Sequence, residues 1–417
     1  MTRVAVIGAG IAGLAAARAL AGRAAVEIFE AAPRPGGHVY TVEVDGARGR
    51  LAVDMGFIVC NDENYPRFSR LLRELGVATR ATSMAFSVAL PGDDLEWGSG
   101  SLAAVFADRR RLVSRRHWRF LGAVLGFLRA ARRDLGGELV RRASLDEYLA
   151  ARRVDDDVRT GFVVPLAAAL WSLAPERCGA FPAETYLRFL HQHGMLRPAR
   201  PLAWRTVVGG SRRYVEALVA ALPGRLHLAT PVRRIARDGG GVTLVVDGDE
   251  RRFDRVVVAC HADTALALLD APADDERRVL GAFRYSRNRC VLHGDRALLP
   301  RRPAAWASWN YVADTDSSQV AVTYSMNRLQ GHPDDEPLLV TLNPRREPAP
   351  GLVHHEVHLD HPQFDVAALA AQGELPGLGG GRLRTYYAGA HFGFGFHEDG
   401  MRAGLGAAAR LLADEAR

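Results

Sequence analysis

The sequence contains no lysine. All 54 of its basic residues are arginine, set against 47 acidic residues. That absence excludes a Schiff-base lysine, a Walker-A lysine and a lysine general base. It also explains a pI near 9.6 on a net charge of only +7, because arginine stays protonated far above neutral pH. A surplus of seven over 417 residues is too diffuse for a nucleic-acid surface, so no nucleic-acid partner is expected. Cysteine is scarce. Cys60, Cys178, Cys260 and Cys290 stand far apart with no CxxC pair, which points to neither a disulfide framework nor a zinc site. No metal is expected elsewhere: His191 and His193 alternate like ligands but lack accompanying carboxylates, and are expected to pack or to line a substrate cavity. No apolar run reaches the ~20 residues of a membrane span. The first strand is expected by Val4, which leaves no room for a signal peptide. A cytoplasmic protein is expected, built of two or three domains.

What is present begins at once. Val4–Ile7 is a short apolar strand, Gly8, Gly10 and Gly13 follow as G-x-G-x-x-G, and Ile11–Leu20 has helical periodicity. Gly8 permits a tight turn, Gly10 lets backbone approach a pyrophosphate, and Gly13 lets helix and strand pack closely. The helix start offers free N–H groups to phosphates. A second strand, VEIFE, ends at Glu30, 22 residues after Gly8, where an acid accepts ribose hydroxyls. Strand, glycines, helix, strand and acid in that order predict a dinucleotide-binding unit. No second glycine-rich nucleotide motif follows.

Gly36–Gly37 after a proline turn, with Thr41, resembles the flavin amine oxidase/phytoene desaturase superfamily, whose motif reads E-x-x-x-x-x-G-G-R-x-x-T/S. His38 stands where arginine is usual. The resemblance implies non-covalent FAD, with the second glycine pair along the diphosphate. VDMGFIV resembles the segment that approaches the flavin ring. TVVGGSRRYVEALVAAL resembles the re-entry into the flavin domain, and Val232 the position that meets adenine. The Gly/aromatic segment after Ala388 resembles the return to the ring. It implies that Gly389, Glu398 and Met401 lie at the cofactor. The cofactor set so implied is Gly8, Gly10, Ile11, Ala12, Gly13, Glu30, Ala31, Gly36, Gly37, His38, Met55, Gly56, Phe57, Ile58, Val232, Gly389, Glu398 and Met401. His391 and His397 are the candidate proton shuttles, being titratable near neutral pH and next to the ring. Tyr311, with Trp309 and Asn310 in WASWNY, is a candidate on a substrate-domain strand, as are Tyr324 and Asn327; core packing is the plainer reading of all five. Glu398 reads as a cap of the last helix, or else as a group that takes a proton from substrate, the cap being the plainer reading.

The implied fold is α/β and amine-oxidase-like. A discontinuous Rossmann-type FAD domain spans 1–80, 205–270 and 375–417. A substrate domain of antiparallel sheet and helices spans 81–204 and 271–374. The strings GHVYTVEVDG, DMGFIVCNDENYP and GFGFHEDGMRAG are similar to a bacterial branch of predicted NAD/FAD-binding proteins associated with cyclopropane-fatty-acid-synthase-like enzymes. The association implies an FAD-dependent oxidoreductase acting on an unsaturated or methylated fatty-acyl chain, by desaturation or double-bond isomerisation. An oxygen-dependent oxidase of a small amine or hydrophobic metabolite is the second reading. Without lysine it could not use the lysine-held water of many amine oxidases. A flavin-binding partner or redox sensor without turnover is the third.

Local patterns complete the expectations. Tyr65–Gly76 reads as an amphipathic helix, Met84–Leu90 as a strand, and Asp247-Gly248 as a hairpin turn. LHLATPVRRI reads as one strand. Ser144 and Glu147 form a capping-box pattern. Residues near 197–201 and 345–350 read as loops. Residues 101–142 mix arginine with Trp118, Phe120, Leu121, Leu125, Phe127 and Leu128. They read as two helices with one buried face, or as a surface resting peripherally on anionic membrane.

Overall fold

Strands that are apolar at every position need cover on both faces, and Val4–Ile7 and Val256–Val258 are of that kind. A computed structural model, which describes residues 1–90, 94–171, 175–196, 202–313 and 321–416, places them side by side. They are the middle of a five-stranded parallel sheet in the order Arg225–His227, Ala25–Phe29, Arg3–Ile7, Arg255–Val258, Thr385–Tyr387. Val4, Val6 and Val257 pack under the helices Ile11–Leu20 and His397–Glu415. Ala5, Ile7, Val256 and Val258 pack on the opposite side, against an antiparallel meander of Val232–Asp238, Gly241–Val246 and Asp249–Phe253. Each fully buried valine adds roughly 1.5–3 kcal/mol. The two helices cross at contact distance because Gly404 faces Ala12: a Cβ on Gly404 would stand 2.0 Å from the Ala12 carbonyl oxygen.

A second, seven-stranded mixed sheet runs in the order Val353–Gln363, Arg284–His293, Leu339–Leu342, Val322–Ser325, Trp309–Val312, Phe86–Leu90, Leu95–Gly98. Only the Trp309–Val312/Phe86–Leu90 pair is parallel. Helices between residues 102 and 192 pack over its Phe86–Gly98 end through Trp97, Phe120 and Phe127. The architecture is mixed α/β with a Rossmann-type parallel sheet.

Local expectations meet the structure unevenly. The amphipathic helix is Pro66–Glu74, with Leu71 and Leu72 buried and Leu75 just past its end. The early strand starts at Phe86, two residues after Met84. Asp247 and Gly248 both take positive φ, as the hairpin requires. Ser144 and Glu147 exchange both capping-box hydrogen bonds. Residues 343–349 have no regular structure, whereas 197–201 lie outside the described residues. LHLATPVRRI is two strands, not one. Arg225–His227 joins the parallel sheet, and Val232–Asp238 turns away to start the meander. Residues 101–142 hold a single 20-residue helix, Arg115–Asp134, flanked by the short Leu102–Val105, Arg109–Val113 and Glu138–Arg142, rather than two helices. Ser114 divides this run by capping the long helix with its hydroxyl. No helix among the described residues is long and apolar enough to cross a membrane.

Candidate active site

The site starts where the first strand stops. Gly8 turns with φ +100° and donates its N–H to the Phe29 carbonyl at 2.8 Å. Gly10 is the extended residue before the helix Ile11–Leu20. No side chain caps that helix and no acid stands in its first turn, which leaves its leading N–H groups open to an anionic ligand. Gly13 serves the packing: a Cβ there would meet the Gly8 carbonyl oxygen at 1.9 Å.

A second glycine turn lies against the first. Gly36 and Gly37 take φ of +112° and +58°, and the Gly36 N–H donates to the Ala9 carbonyl at 2.8 Å. Arg34 holds this turn by donating to the carbonyls of Val39 at 2.8 Å and Gly37 at 3.1 Å while lying over the Tyr40 ring. Nothing in the sequence pattern marked Arg34. The Glu30 carboxylate accepts the N–H groups of Ala9 at 2.7 Å and Ala32 at 2.9 Å, so it orders the loop on which a ribose and diphosphate would sit.

His38, at the position where arginine is usual, makes a contact of its own. Its Nε2 donates to the Asp360 carbonyl at 2.8 Å, tying the glycine turn to the seven-stranded sheet. Burial, with the nearby His261, pushes it down to about 4, so the ring is neutral. Met55 to Ile58 follow, their backbone pressed so close that a Cβ on Gly56 would lie 1.9 Å from the His38 carbonyl oxygen.

Both glycine turns, Met55–Ile58, Val232, Gly389–His391, Phe394–His397 and Gly400 line one cavity of about 690 Å³. Of the residues expected at the cofactor, Gly8, Gly10, Ile11, Ala12, Glu30, Ala31, Gly36, Gly37, His38, Met55, Gly56, Phe57, Ile58, Val232 and Gly389 line it. His391 and His397 also line it. His397 stacks on Phe57 at 3.9 Å, and its Nε2 lies 2.6 Å from the Tyr214 hydroxyl. His391 Nδ1 is 3.4 Å from the Tyr285 hydroxyl, and its Nε2 has no partner among the described residues. Burial pushes both imidazoles down to about 3, which holds them neutral near pH 7.

Four expected residues stand elsewhere. Gly13 sits at the helix–strand contact. Met401 is buried in the core around the first and last helices. Glu398 caps a different helix from the one expected. Its carboxylate accepts the N–H groups of Arg67 at 3.2 Å and Phe68 at 3.0 Å, at the start of Pro66–Glu74, while Asp399 accepts from Phe394 and Phe396 at the start of its own helix. Tyr311 is a core aromatic, its hydroxyl pushed up to about 12 by burial. Two residues earlier on the same strand, Trp309 does line the cavity, and so does Tyr324 on the neighbouring strand. Asn310 is spent on Ser87, Ala307 and Thr323. Asn327 is spent on Pro333, Glu336 and Leu338.

Beyond the glycine turns the cavity becomes an apolar chamber. Leu166, Ala169, Leu170, Trp171, Phe189 and Met195 face Met84, Phe86, Trp309, Tyr324, Leu342 and Leu359 across it. Six histidines line the whole cavity: His38, His193, His261, His361, His391 and His397. Burial lowers the pKa of every one. His193 stacks on Phe189 at 3.7 Å; its partner in the sequence pattern, His191, is not in the lining. Among the described residues the lining contains no arginine and no aspartate, and Glu30 is its only acid. None of the residues 101–142 reaches the lining.

Comparison with known proteins places these features in a wider setting. Residues 11–288 match the family described as flavin containing amine oxidoreductase. A provisionally named flavin-containing monoamine oxidase, AofH, of Mycobacterium tuberculosis is 29% identical over 295 residues. That alignment takes in 66% of this chain, and the chain spans 61% of the relative's length. Among solved structures, a fatty acid isomerase from P. acnes that produces CLA superposes over 98% of both chains with a TM-score of 0.70 at 18% identity. Cyclohexylamine oxidase from Brevibacterium oxydans IH-35A superposes over 100% of both with a TM-score of 0.71 at 20% identity. Wild-type putrescine oxidase bound to putrescine superposes over 99% of both with a TM-score of 0.70 at 16% identity. At these identities the likeness is one of fold.

Proposed function

Since the chain belongs to the flavin containing amine oxidoreductase family, with FAD as its cofactor, we propose that it is an FAD-dependent oxidoreductase acting on an uncharged, apolar substrate, the acyl chain of a membrane lipid. The observation that carries the substrate class is the lack of charge among the chamber's described residues. A free fatty acid would call for a buried cation, and a protonated amine for a buried carboxylate, since an unpaired charge is costly to bury. Among the described residues the lining offers no arginine, and its one acid, Glu30, stands at the glycine turns, where it accepts two backbone N–H groups and faces the place of the ribose. An esterified acyl chain presents only hydrocarbon to such a chamber. Strings such as GFGFHEDGMRAG, similar to the branch linked to fatty-acyl modification, support the same class.

The residues fit the cofactor. The Gly10 surface that a side chain would fill, the open N–H groups after it and the Gly36–Gly37 turn would hold the diphosphate. Glu30 would take the ribose, and Val232 would meet the adenine. Non-covalent binding follows this reading. We divide the chain accordingly: 1–80, 205–270 and 375–417 hold the cofactor, while 81–204 and 271–374 form the substrate side. When bound, the flavin ring supplies the capacity to accept and return an electron pair. The chain's own contribution is to seat the acyl segment against Trp309, Tyr324 and Phe396, to exclude water with the apolar walls, and to keep His391 and His397 as neutral imidazoles. A neutral imidazole can accept or donate a proton without bringing a buried charge to the ground state.

Desaturation removes two hydrogens from the chain and must pass the electron pair to an outside acceptor. A double-bond shift needs none. Anaerobic incubation with phospholipid, with products read by mass spectrometry, separates them. Desaturation bleaches the flavin in proportion to product, and isomerisation yields product with the flavin still yellow. Bleaching by small amines and no change in any lipid would instead establish the second reading, an amine oxidase. The aromatic rings of Trp309 and Tyr324, 5.1 Å apart in the chamber, favour that reading if the amine enters uncharged. An acyl chain esterified in a lipid is met at a bilayer, so peripheral contact with an anionic membrane belongs to this proposal.

A further inference from the structure

The charge of this protein is concentrated in one place. Residues 101–142 carry eleven arginines and three acids, a net +8 against +7 for the whole chain, so everything else nets −1. The same stretch is where large apolar side chains stand in water: Val113 is 87% exposed, Trp118 54% and Leu112 51%. Cations and exposed apolar groups on one surface are the two features of an interfacial helix.

Their arrangement is ordered. On the helix Arg115–Asp134, the residues Arg115, Trp118, Gly122, Leu125, Arg129 and Arg132 are all exposed. Their spacing of three and four makes them one outward stripe. Its middle is apolar and its ends are basic. The opposite face, with Phe120, Phe127, Leu128 and Ala131, is buried in the protein core. At the start of the stripe Trp118 is fixed in place. Its indole N–H donates to the Leu112 carbonyl at 2.8 Å, and its ring leans on Phe106 at 5.1 Å. The Trp118 ring therefore stands beside Leu112 and Val113 with its polar atom already satisfied. Arg115, Arg129 and Arg132 form no ion pair among the described residues, unlike Arg110 with Asp108 and Arg133 with Asp134.

We propose that the stripe Arg115–Arg132, with the Leu112–Val113 tip, is a docking surface for an anionic lipid bilayer, lying flat with Trp118 and Val113 in the headgroup boundary. Charge complementarity selects this occupant. A second copy meeting the same patch through a two-fold axis would set +8 against +8. A nucleic acid would use the arginines and leave the aliphatic tip wet. The proposal takes its motive from the acyl-lipid reading and locates the face that meets the membrane.

Vesicle flotation of the FAD-loaded protein tests it without any turnover. Vesicles of phosphatidylcholine alone are compared with vesicles containing about 30% phosphatidylglycerol, at ~0.1 M and ~1 M salt. Wild-type protein is expected to float with the anionic vesicles only, and to be released at high salt. The triple variant Arg115→Glu/Arg129→Glu/Arg132→Glu should bind at least about a hundredfold more weakly, at roughly fivefold for each charge removed. Val113→Ser/Trp118→Ser should weaken binding while retaining its dependence on anionic lipid. Bound-flavin absorbance verifies that each variant is folded. Wild type left in solution at low salt, equal binding to neutral vesicles, or an undiminished triple variant would each overturn the proposal. Vesicle binding without acyl turnover would leave the docking surface standing and remove the substrate reading; turnover of dispersed lipid without vesicle binding would do the reverse.

Discussion

Tyr214 holds His397 in place. The hydroxyl lies 2.6 Å from the imidazole Nε2 inside the core, while the other side of the ring system is stacked on Phe57. Burial keeps the Tyr214 proton on far above neutral pH, so the hydroxyl is able to donate to Nε2, an arrangement that places the His397 proton on Nδ1. Tyr214→Phe should cost about 1–3 kcal/mol, the usual penalty for stranding a buried polar atom. It should also free the imidazole to change tautomer. Denaturant unfolding reads the first effect and nitrogen chemical shifts of His397 read the second. An unshifted tautomer balance would mean that stacking on Phe57 alone orients the ring.

Glu398 joins two helices that are far apart in the chain. By accepting the N–H groups of Arg67 and Phe68, with Arg67's guanidinium also within 3.2 Å, it satisfies the start of Pro66–Glu74 from the start of the last helix. Glu398→Ala strands those donors and should cost about 1–3 kcal/mol. The bound-flavin spectrum should not change, because the side chain does not line the cavity. A changed spectrum with unchanged stability would return Glu398 to the cofactor.

These two residues mark the limit of what the sequence discloses. The turn at Gly8, Gly10 and Gly36–Gly37 is legible because its requirements are local: a positive φ, a close approach, a helix start within a few residues. The role of Glu398 depends on a helix some 330 residues earlier, and no periodicity reports that. Tyr311 and Trp309 look alike in WASWNY. The position along the strand and what packs over each end decide that one meets the cavity and the other the core. The split of LHLATPVRRI is likewise set by partners, Ala25–Phe29 for one half and Gly241–Val246 for the other. The basic stretch 101–142 could be read as amphipathic. The hydrogen bond from Trp118 to Leu112 that fixes its apolar tip is a matter of three-dimensional placement.

Acid should destabilise this protein early. Burial pushes His361, His391 and His397 down to about 3, and His38, His193 and His293 to about 4. Each binds its proton more readily in the unfolded chain, where the ordinary histidine value applies. Their stabilisation is therefore complete above pH ~6.5 and is lost as pH falls towards 3–4. Asp54 works against this. Burial raises it to about 6 despite hydrogen bonds from Thr41 and Ser211, so it favours the folded state more as pH drops towards its ordinary value. Asp399 is raised by burial in the same way, but His117, His261 and His332 are lowered with the six, and nine imidazoles against two carboxyls give a net loss. The Tm at constant ionic strength should fall steadily from pH 7 to pH 5, and a flat profile would mean that the cavity histidines are hydrated in solution.

Gly10 and Gly404 should fail in different ways when given a side chain. Gly10 has an extended backbone with φ −74°, which valine adopts readily, and a Cβ there would meet nothing closer than the Gly37 Cα at 3.9 Å. Gly10→Val should therefore fold. Its added methyls would project into the space between the two glycine turns, where the backbone must approach a diphosphate, and flavin content should drop about tenfold or more. Gly404→Val places its Cβ 2.0 Å from the Ala12 carbonyl oxygen, against backbone that cannot yield without separating the first and last helices. It should lose the fold and the flavin together. Circular dichroism of the cofactor-free proteins, set beside flavin absorbance at matched concentration, distinguishes the two. A Gly10→Val protein that is well folded and fully yellow would show that the diphosphate does not lie against Gly10.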